Sequence, residues 1–166
     1  FIASYQSKIS PIKAQDSCLN LAKGFVFFYQ KEFVDAKFHL SQQLDIPHIA
    51  FDLVARSLLL RTSYEVWQTS QPFDFSDENS KDLKYECAKL KKHLLRVKKK
   101  VSPNMIESYF TLIEFVRALI QLKRKAAQKG VHSKVFLGRK MKLLQKVKEQ
   151  PFFGTSWVLK KIDQTE

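Results

Sequence analysis

The chain has 166 residues, enough for one domain with a substantial core or for one segment of a stacked helical array. Apolar residues make up 45% of it, against only 4 glycines and 5 prolines, which excludes a disordered chain and a turn-rich β-sandwich. The formal charge of +13 is uneven, because residues 1–79 carry −2 and residues 80–166 carry +15. The basic character therefore belongs to the second half.

Three features of the sequence bear on where the protein is found: its first residue, its apolar stretches and its cysteines. The sequence begins at Phe1 without a methionine, so we expect it to be a piece of a longer chain. The most apolar stretch, residues 46–60, is interrupted by a histidine, an aspartate and an arginine, and a bilayer span needs roughly 18 apolar residues. Cys18 and Cys87 lack a CxxC partner or a neighbouring histidine. We therefore expect reduced core thiols in a cytoplasmic protein without a membrane span.

Apolar residues recur at three- and four-residue steps in three segments of the first half, which predicts three helices. These helices are predicted from Ile12 or Asp16 to Tyr29, from Phe33 to about Leu44, and from the cap Asp45-Ile46-Pro47 to about Trp67. The first two form an antiparallel hairpin because their link is short, and the residues of the second helix expected to face the first are Phe33, Ala36, Phe38 and Leu40. The third helix has a wide apolar arc and should be the most buried. Thr69–Asn79 is the predicted loop.

The second half is predicted to hold three longer helices and a short last one. They run from about Ser80 to Lys100, from Pro103 to about Lys129, from about Lys134 to Glu149, and onward from Thr155 or Ser156. Ser102 and Pro103 are start signals, and Gly130 is a stop signal. The apolar stripe of the fourth helix is Leu83, Cys87, Leu90, Leu94, Val97 and Val101, and that of the sixth is Leu137, Met141, Leu144 and Val147. No segment alternates as a strand does, so the predicted fold class is all-α.

The first hairpin resembles the tetratricopeptide repeat (TPR), a pair of helices with small, aromatic and apolar residues at fixed spacings. The matching residues are Gly24, Phe27, Phe33, Ala36 and Leu40, within about 30 residues. Gln43 and Pro47 depart from the pattern, since the first replaces a small residue and the second comes one place early.

The whole chain is similar to the C-terminal part of bacterial TPR-like proteins. This resemblance implies antiparallel helical hairpins stacked as a right-handed superhelix. It also implies a single TPR-like domain over residues 1–166, with TPR-like helices in 1–68 and longer basic helices with a C-terminal cap in 80–166. Its implied role is a scaffold that binds another protein or a peptide and carries out no reaction.

The sequence contains no catalytic or metal-binding motif, so we expect a protein that is not an enzyme and needs no cofactor. The four histidines are scattered and the four glycines are isolated, which excludes the usual zinc motifs and phosphate-binding loops. Asp35 and His39 lie four residues apart on one helix, as a metal clip or an acid–base pair would require. A third ligand is missing, and a surface pair or an ordinary intrahelical contact is the alternative.

Lysines and arginines cluster at the ends of the fourth and fifth helices and along the sixth. We expect a basic face that steers an acidic protein partner to the chain. The candidate residues are Lys91, Lys92, Arg96, Lys98, Lys99, Lys123, Arg124, Lys125, Arg139 and Lys140. A nucleic acid is the alternative partner, because cationic side chains bind phosphates by releasing counterions, and a membrane surface or solvent alone would suit the same charge. Against a nucleic acid, the antiparallel fourth and fifth helices would send their basic ends to opposite poles.

Overall fold

The computed structural model describes residues 12–42, 46, 48–69 and 78–165. In these residues the chain forms seven α-helices and no strand, so the predicted all-α class is confirmed. The helices are α1 (Ile12–Gln30), α2 (Phe33–Ser41), α3 (Ile49–Thr69), α4 (Glu78–Val97), α5 (Pro103–Lys129), α6 (Lys134–Glu149) and α7 (Thr155–Asp163). The predicted cap at Asp45 and Pro47, the TPR position Gln43 and residues 70–77 of the predicted loop Thr69–Asn79 lie outside the described residues, whereas the two ends of that loop belong to α3 and α4.

Packing divides the chain into two units, which we call the N-terminal unit (residues 1–90) and the C-terminal unit (residues 91–166). The division falls within α4. Helices α1, α2 and α3 pack together in the first unit, and α5, α6 and α7 pack together in the second. The single domain over residues 1–166 stays a prediction, and none of the described helices is long and apolar enough to cross a bilayer.

The α1–α2 hairpin closes around a small residue. A Cβ at Gly24 would lie 2.6 Å from Leu40 Cγ, so glycine is what allows the two helices to approach this closely. Leu40 and Ala36 are fully buried at the same contact. Lys31 adopts a positive φ of 66° in the turn that reverses the chain. Three of the residues that match the TPR pattern therefore lie where the two helices meet.

The burial of α3 confirms one prediction, and that of α2 corrects another. Helix α3 is the most buried helix of the N-terminal unit, with Leu53, Leu58, Leu60, Tyr64 and Trp67 in the core. Phe38 was expected to face α1, but its side chain is 59% exposed. The buried residues of α2 are Ala36 and Leu40, and Phe38 stands two residues from each, which places it on the opposite side of the helix.

Helix α4 carries the narrow apolar stripe that its sequence predicts. Its buried apolar residues are Leu83, Cys87, Leu90, Leu94 and Val97. The helix ends at Val97 and not at Lys100, because Lys100 N donates to Val97 O in the turn that leads to the next helix. Val101 is half-buried beyond this end.

Helices α5 and α6 begin at serine caps. Ser102 Oγ accepts a hydrogen bond from Met105 N at 3.4 Å, and Ser133 Oγ accepts one from Phe136 N at 3.2 Å. Helix α5 ends at Gly130, whose φ is 79°, as the stop signal predicted. Its buried residues are Ile106, Tyr109, Leu112, Ile113, Phe115, Val116, Leu119, Ile120 and Leu122.

The apolar stripe predicted for α6 is wrong in half of its members. The structure buries Phe136, Leu143 and Val147, whereas Leu137 and Met141 are exposed. Successive helical residues are separated by about 100° around the axis, so Leu137 lies a quarter turn from the buried Phe136. The side of α6 that faces its neighbours is therefore adjacent to the predicted one and overlaps it at Val147.

The turn before α7 is fastened to α5 by two phenylalanines. The Phe152 ring stacks on Phe115 with centroids 4.8 Å apart, and Phe153 N donates to Ser108 Oγ at 2.6 Å. Gly154 follows with a φ of 102°. This turn orients α7 so that Val158, Lys161 and Ile162 are buried in the C-terminal unit.

Candidate functional site: the basic surface of residues 91–166

The two units differ in charge. Residues 1–90 contain 10 lysines and arginines and 11 acidic residues, a net charge of −1, whereas residues 91–166 contain 19 and 5, a net charge of +14. All ten predicted basic residues lie in the C-terminal unit. The candidate site is therefore the surface of a single unit.

The first five of these residues form what we call the proximal cluster, at the end of α4 and in the turn after it. Its members are Lys91, Lys92, Arg96, Lys98 and Lys99, and all five are exposed. Arg96 Nη2 donates to Nδ1 of the buried His93 at 3.0 Å, which holds the guanidinium against its own helix. The four lysines make no ion pair within the described residues. Their charges are therefore available to a partner.

The other five residues form the distal cluster, at the end of α5 and the start of α6. They are Lys123, Arg124, Lys125, Arg139 and Lys140, of which Arg139 is exposed and the rest are half-buried. An ion pair of 3.5 Å between Glu114 Oε2 and Lys146 Nζ sets the register of these two helices. Seven residues before Lys146 is Arg139, and seven residues after Glu114 is Gln121. Because the helices run antiparallel, Arg139 lies at a level close to Lys123, and the cluster draws on both helices.

The structure does not bring the two clusters together. Lys98 and Lys99 directly precede the start of α5, whereas Lys123 lies about 30 Å along that helix at 1.5 Å per residue. This distance exceeds the Debye length of about 8 Å at physiological salt, so the clusters act on a partner as separate contacts.

Charged residues of the N-terminal unit neutralise one another instead. The ion pairs are Lys37 with Asp82 at 2.9 Å, Arg56 with Asp52 at 2.9 Å, and Lys89 with Glu86 at 3.9 Å. Burial raises the pKa of Glu86, and the positive charges of Lys89 and Lys37 oppose that rise. The Lys37–Asp82 pair joins α2 to α4, whereas the other two pairs lie within α3 and within α4, and none of them adds net charge to the surface.

The histidines, cysteines and acidic residues of the described part of the chain provide no metal site. No group of three histidines, cysteines or acidic residues lies close enough to hold a metal ion there. The sequence singled out Asp35 and His39 as a possible pair. In the structure, His39 Nδ1 lies 3.0 Å from Asn20 Oδ1, and the His39 ring stacks on Phe27 with centroids 5.4 Å apart. His39 is thus part of the α1–α2 packing. Burial, followed by the charge of a neighbouring glutamate, raises the pKa of Tyr64, so its phenol stays neutral.

Sequence reasoning placed two exposed apolar residues of α6 in the core. Leu137 and Met141 were expected in the core, but they are 47% and 66% exposed on α6. Periodicity identified them as members of one helix face, which is correct. The sequence did not show which face of α6 the neighbouring helices would cover, because tertiary packing decides that.

Comparisons with known protein families, with curated proteins and with solved structures find no match for this chain. Charge, exposure and packing are therefore the observations that bear on its function.

Proposed function

We propose that the chain is a non-enzymatic helical module that binds an acidic protein or peptide through the basic surface of its C-terminal unit. The observation that carries this proposal is the separation of charge, with +14 in residues 91–166 and −1 in residues 1–90. Four exposed lysines of the proximal cluster make no ion pair within the described residues. Such a surface accelerates the encounter with an acidic partner and repels a basic one.

The TPR-like superhelix is part of the same proposal. It is supported by the close approach of Gly24 to Leu40 and by the burial of Ala36, all at positions that match the repeat. In such a stack the helical hairpins provide a rigid frame, and binding residues lie on the helix faces. Cys18 is half-buried and Cys87 is buried, as reduced core thiols are in the cytoplasm that we propose as the location of the chain.

An acidic protein is a better candidate than a single-stranded nucleic acid because aromatic side chains are scarce on the basic unit. Proteins that bind single strands usually stack the bases on exposed aromatic rings placed among cations. Among the phenylalanines, tyrosines and tryptophans of residues 91–165, only Phe153 is exposed. The centroid of its ring already lies 5.6 Å from that of Tyr109. The basic surface is therefore suited to charge pairing and poorly suited to base stacking.

The proposal is tested by capturing partners on the immobilised chain and identifying them by mass spectrometry. The test variant is Lys91→Glu together with Lys92→Glu. The matched control, Lys81→Glu together with Lys84→Glu, changes two exposed lysines of the same helix in the N-terminal unit. We expect an acidic partner to lose about tenfold in affinity with the test variant and to keep its affinity with the control. Equal loss with both variants would mean that the surface acts only through total charge.

A labelled oligonucleotide, titrated at increasing salt, separates the two classes of partner. We expect weak binding that is indifferent to sequence and disappears near physiological salt, since such binding comes from counterion release alone. Sequence-selective binding that persists at physiological salt would favour a nucleic-acid role over the proposed one.

A further inference from the structure

Helix α6 presents a second apolar line that the rest of the C-terminal unit leaves uncovered. Leu137 is 47% exposed and Met141 is 66% exposed, and the half-buried Leu144 continues the line. The buried side of α6, formed by Phe136, Leu143 and Val147, is already packed within the unit. The exposed line is therefore additional to what the fold of this unit requires.

The spacing of this line is that of a helix–helix contact. Lys134, Leu137, Met141, Leu144 and Lys148 follow one another in steps of three, four, three and four. Steps of this kind keep residues along one seam of a helix, as at the a and d positions of a coiled coil. We call these five residues the α6 seam. Its length is about 21 Å, or two heptads.

Lysines close both ends of the α6 seam. Lys134 and Lys148 are exposed, and neither makes an ion pair within the described residues. A helix lying along the seam would place apolar side chains on Leu137 and Met141 and would bring its two ends beside these lysines. Acidic residues at both ends would be stabilised there, and basic residues would be repelled.

Gly138 lies beside the seam, and nothing within 4 Å surrounds the position where its Cβ would stand. A glycine inside an exposed helix is less favourable than an alanine, because it loses more backbone freedom on folding. The packing of the C-terminal unit gives no reason for it. A partner helix that approaches the α6 backbone closely would use the space that the missing side chain leaves.

On the basis of the proposed function, we propose that the α6 seam binds an amphipathic helix of the acidic partner. This partner helix would carry leucine-like residues in its middle and acidic residues at both ends. A second copy of this chain is disfavoured, because two units of +14 would face each other. An anionic membrane would share the charge complementarity. However, three apolar residues in one line give little surface to bury in a bilayer, whereas they match the contact made by one helix.

The probe is a synthetic fluorescein-labelled helix of about 18 residues, with leucines at a and d positions and glutamates flanking both ends. A second peptide has lysines in place of these glutamates. Binding is followed by fluorescence anisotropy with the whole chain. We expect the acidic peptide to bind and the basic peptide to fail. Equal binding of both peptides would overturn the assignment of an acidic partner.

The seam itself is tested by Leu137→Gln combined with Met141→Gln. Its matched control is Val135→Gln, which changes an apolar residue of α6 that is 55% exposed but lies off the seam. We expect the double variant to weaken binding of the acidic peptide about tenfold or more, and the control to change it less than twofold. Since all three residues are exposed, the helical circular dichroism should be retained in both variants. Unchanged binding by the double variant would overturn the seam.

Three further outcomes separate the seam from other contacts. Lys134→Glu combined with Lys148→Glu should weaken binding of the acidic peptide and allow the basic one to bind, a reversal that requires the lysines to meet the peptide ends.

Vesicles of phosphatidylcholine and phosphatidylserine are tested by co-sedimentation. If the Leu137→Gln and Met141→Gln variant loses vesicle binding but keeps peptide binding, the occupant is a membrane and the proposal is wrong. Partner capture that depends on Lys91 and Lys92 but not on the seam would leave the proposed function standing alone.

Discussion

Gly24 and Gly138 both lie inside helices, but a neighbour fills the Cβ position of only one of them. At Gly24 a Cβ would lie 2.6 Å from Leu40 Cγ, and at Gly138 the space is open. Because Leu40 is fully buried, it cannot move without displacing the core around it. We expect Gly24→Ala to lower the free energy of unfolding by about 1–3 kcal/mol.

Gly138→Ala is the matched control for this substitution. It should raise the free energy of unfolding by up to about 1 kcal/mol, since alanine favours the helix and meets no obstacle. Urea denaturation followed by circular dichroism measures both variants. Similar changes in the two would contradict the close approach of α1 and α2.

Glu86 should make stability depend on pH. Burial raises its pKa above the ordinary value of 4.5, so the folded protein holds this proton more tightly than the unfolded chain does. The stabilisation that results is complete below the unfolded value and is lost as pH rises through the raised pKa. Glu86→Gln removes the titration. We therefore expect the variant to gain stability relative to the parent chain as pH increases from about 4 to about 7.

The control for this effect is Glu107→Gln, which removes one exposed carboxylate of α5. Urea midpoints measured across the same pH range compare the two variants with the parent chain. If Glu86→Gln loses stability relative to the parent as pH rises, then the ion pair of Glu86 with Lys89 outweighs its burial.

At the scale of helices, the apolar pattern predicted where the helices lie in the sequence better than it predicted which side of each helix is buried. For α4 a single narrow stripe allowed one interpretation, and the structure buries Leu83, Cys87, Leu90 and Leu94 as expected. Helix α6 has apolar residues around about two-thirds of its circumference, so several stripes were consistent with its sequence. Only packing against α5 and α7 selected Phe136 and Leu143, which left Leu137 and Met141 outside.

Helix ends followed local chemistry, and the sequence predicted them well where a capping residue was present. Ser102 begins α5 because its hydroxyl accepts a hydrogen bond from a free backbone N–H. Gly130 ends the helix because glycine tolerates a positive φ. The basic clusters were predictable for the same local reason, since they are runs in the sequence. Their separation along α5 followed from its length, but the partial burial of four of the five residues of the distal cluster required the fold.

The turn between α6 and α7 makes two aromatic contacts with α5, one from Phe152 and one from Phe153. Phe152 stacks on Phe115 at 4.8 Å and is half-buried, whereas Phe153 is more exposed and contributes its backbone N–H to Ser108. We expect Phe152→Ala to destabilise the C-terminal unit by about 2 kcal/mol, less than the roughly 3–5 kcal/mol for a fully buried phenylalanine. Thermal unfolding followed by Trp157 fluorescence measures the effect, because this residue lies on α7.

Phe153→Ala provides the comparison, since it removes the exposed ring and keeps the backbone hydrogen bond. Its cost should be smaller than that of Phe152→Ala. A larger cost would show that the contact between the Phe153 and Tyr109 rings holds the turn instead.

At the scale of the whole chain, the charge difference between the two units should appear as a difference in response to salt. Like charges within the C-terminal unit, at +14, repel one another in the folded state, whereas the N-terminal unit is close to neutral. Raising salt from about 0.01 M to about 0.15 M shortens the Debye length from about 30 Å to about 8 Å and screens this repulsion. We therefore expect salt to stabilise the C-terminal unit more than the N-terminal unit.

The two tryptophans allow this to be measured, because Trp67 belongs to the N-terminal unit and Trp157 to the C-terminal unit. Trp67→Phe leaves a reporter of the second unit, and Trp157→Phe leaves a reporter of the first. The urea midpoint reported by Trp157 should rise with salt, and that reported by Trp67 should change little. Repeating the titration with the Lys91→Glu and Lys92→Glu variant should reduce the salt effect at Trp157, since the net charge of that unit falls. Equal shifts at both tryptophans would mean that the repulsion is shared by the whole chain and that the basic surface does not act as a property of one unit.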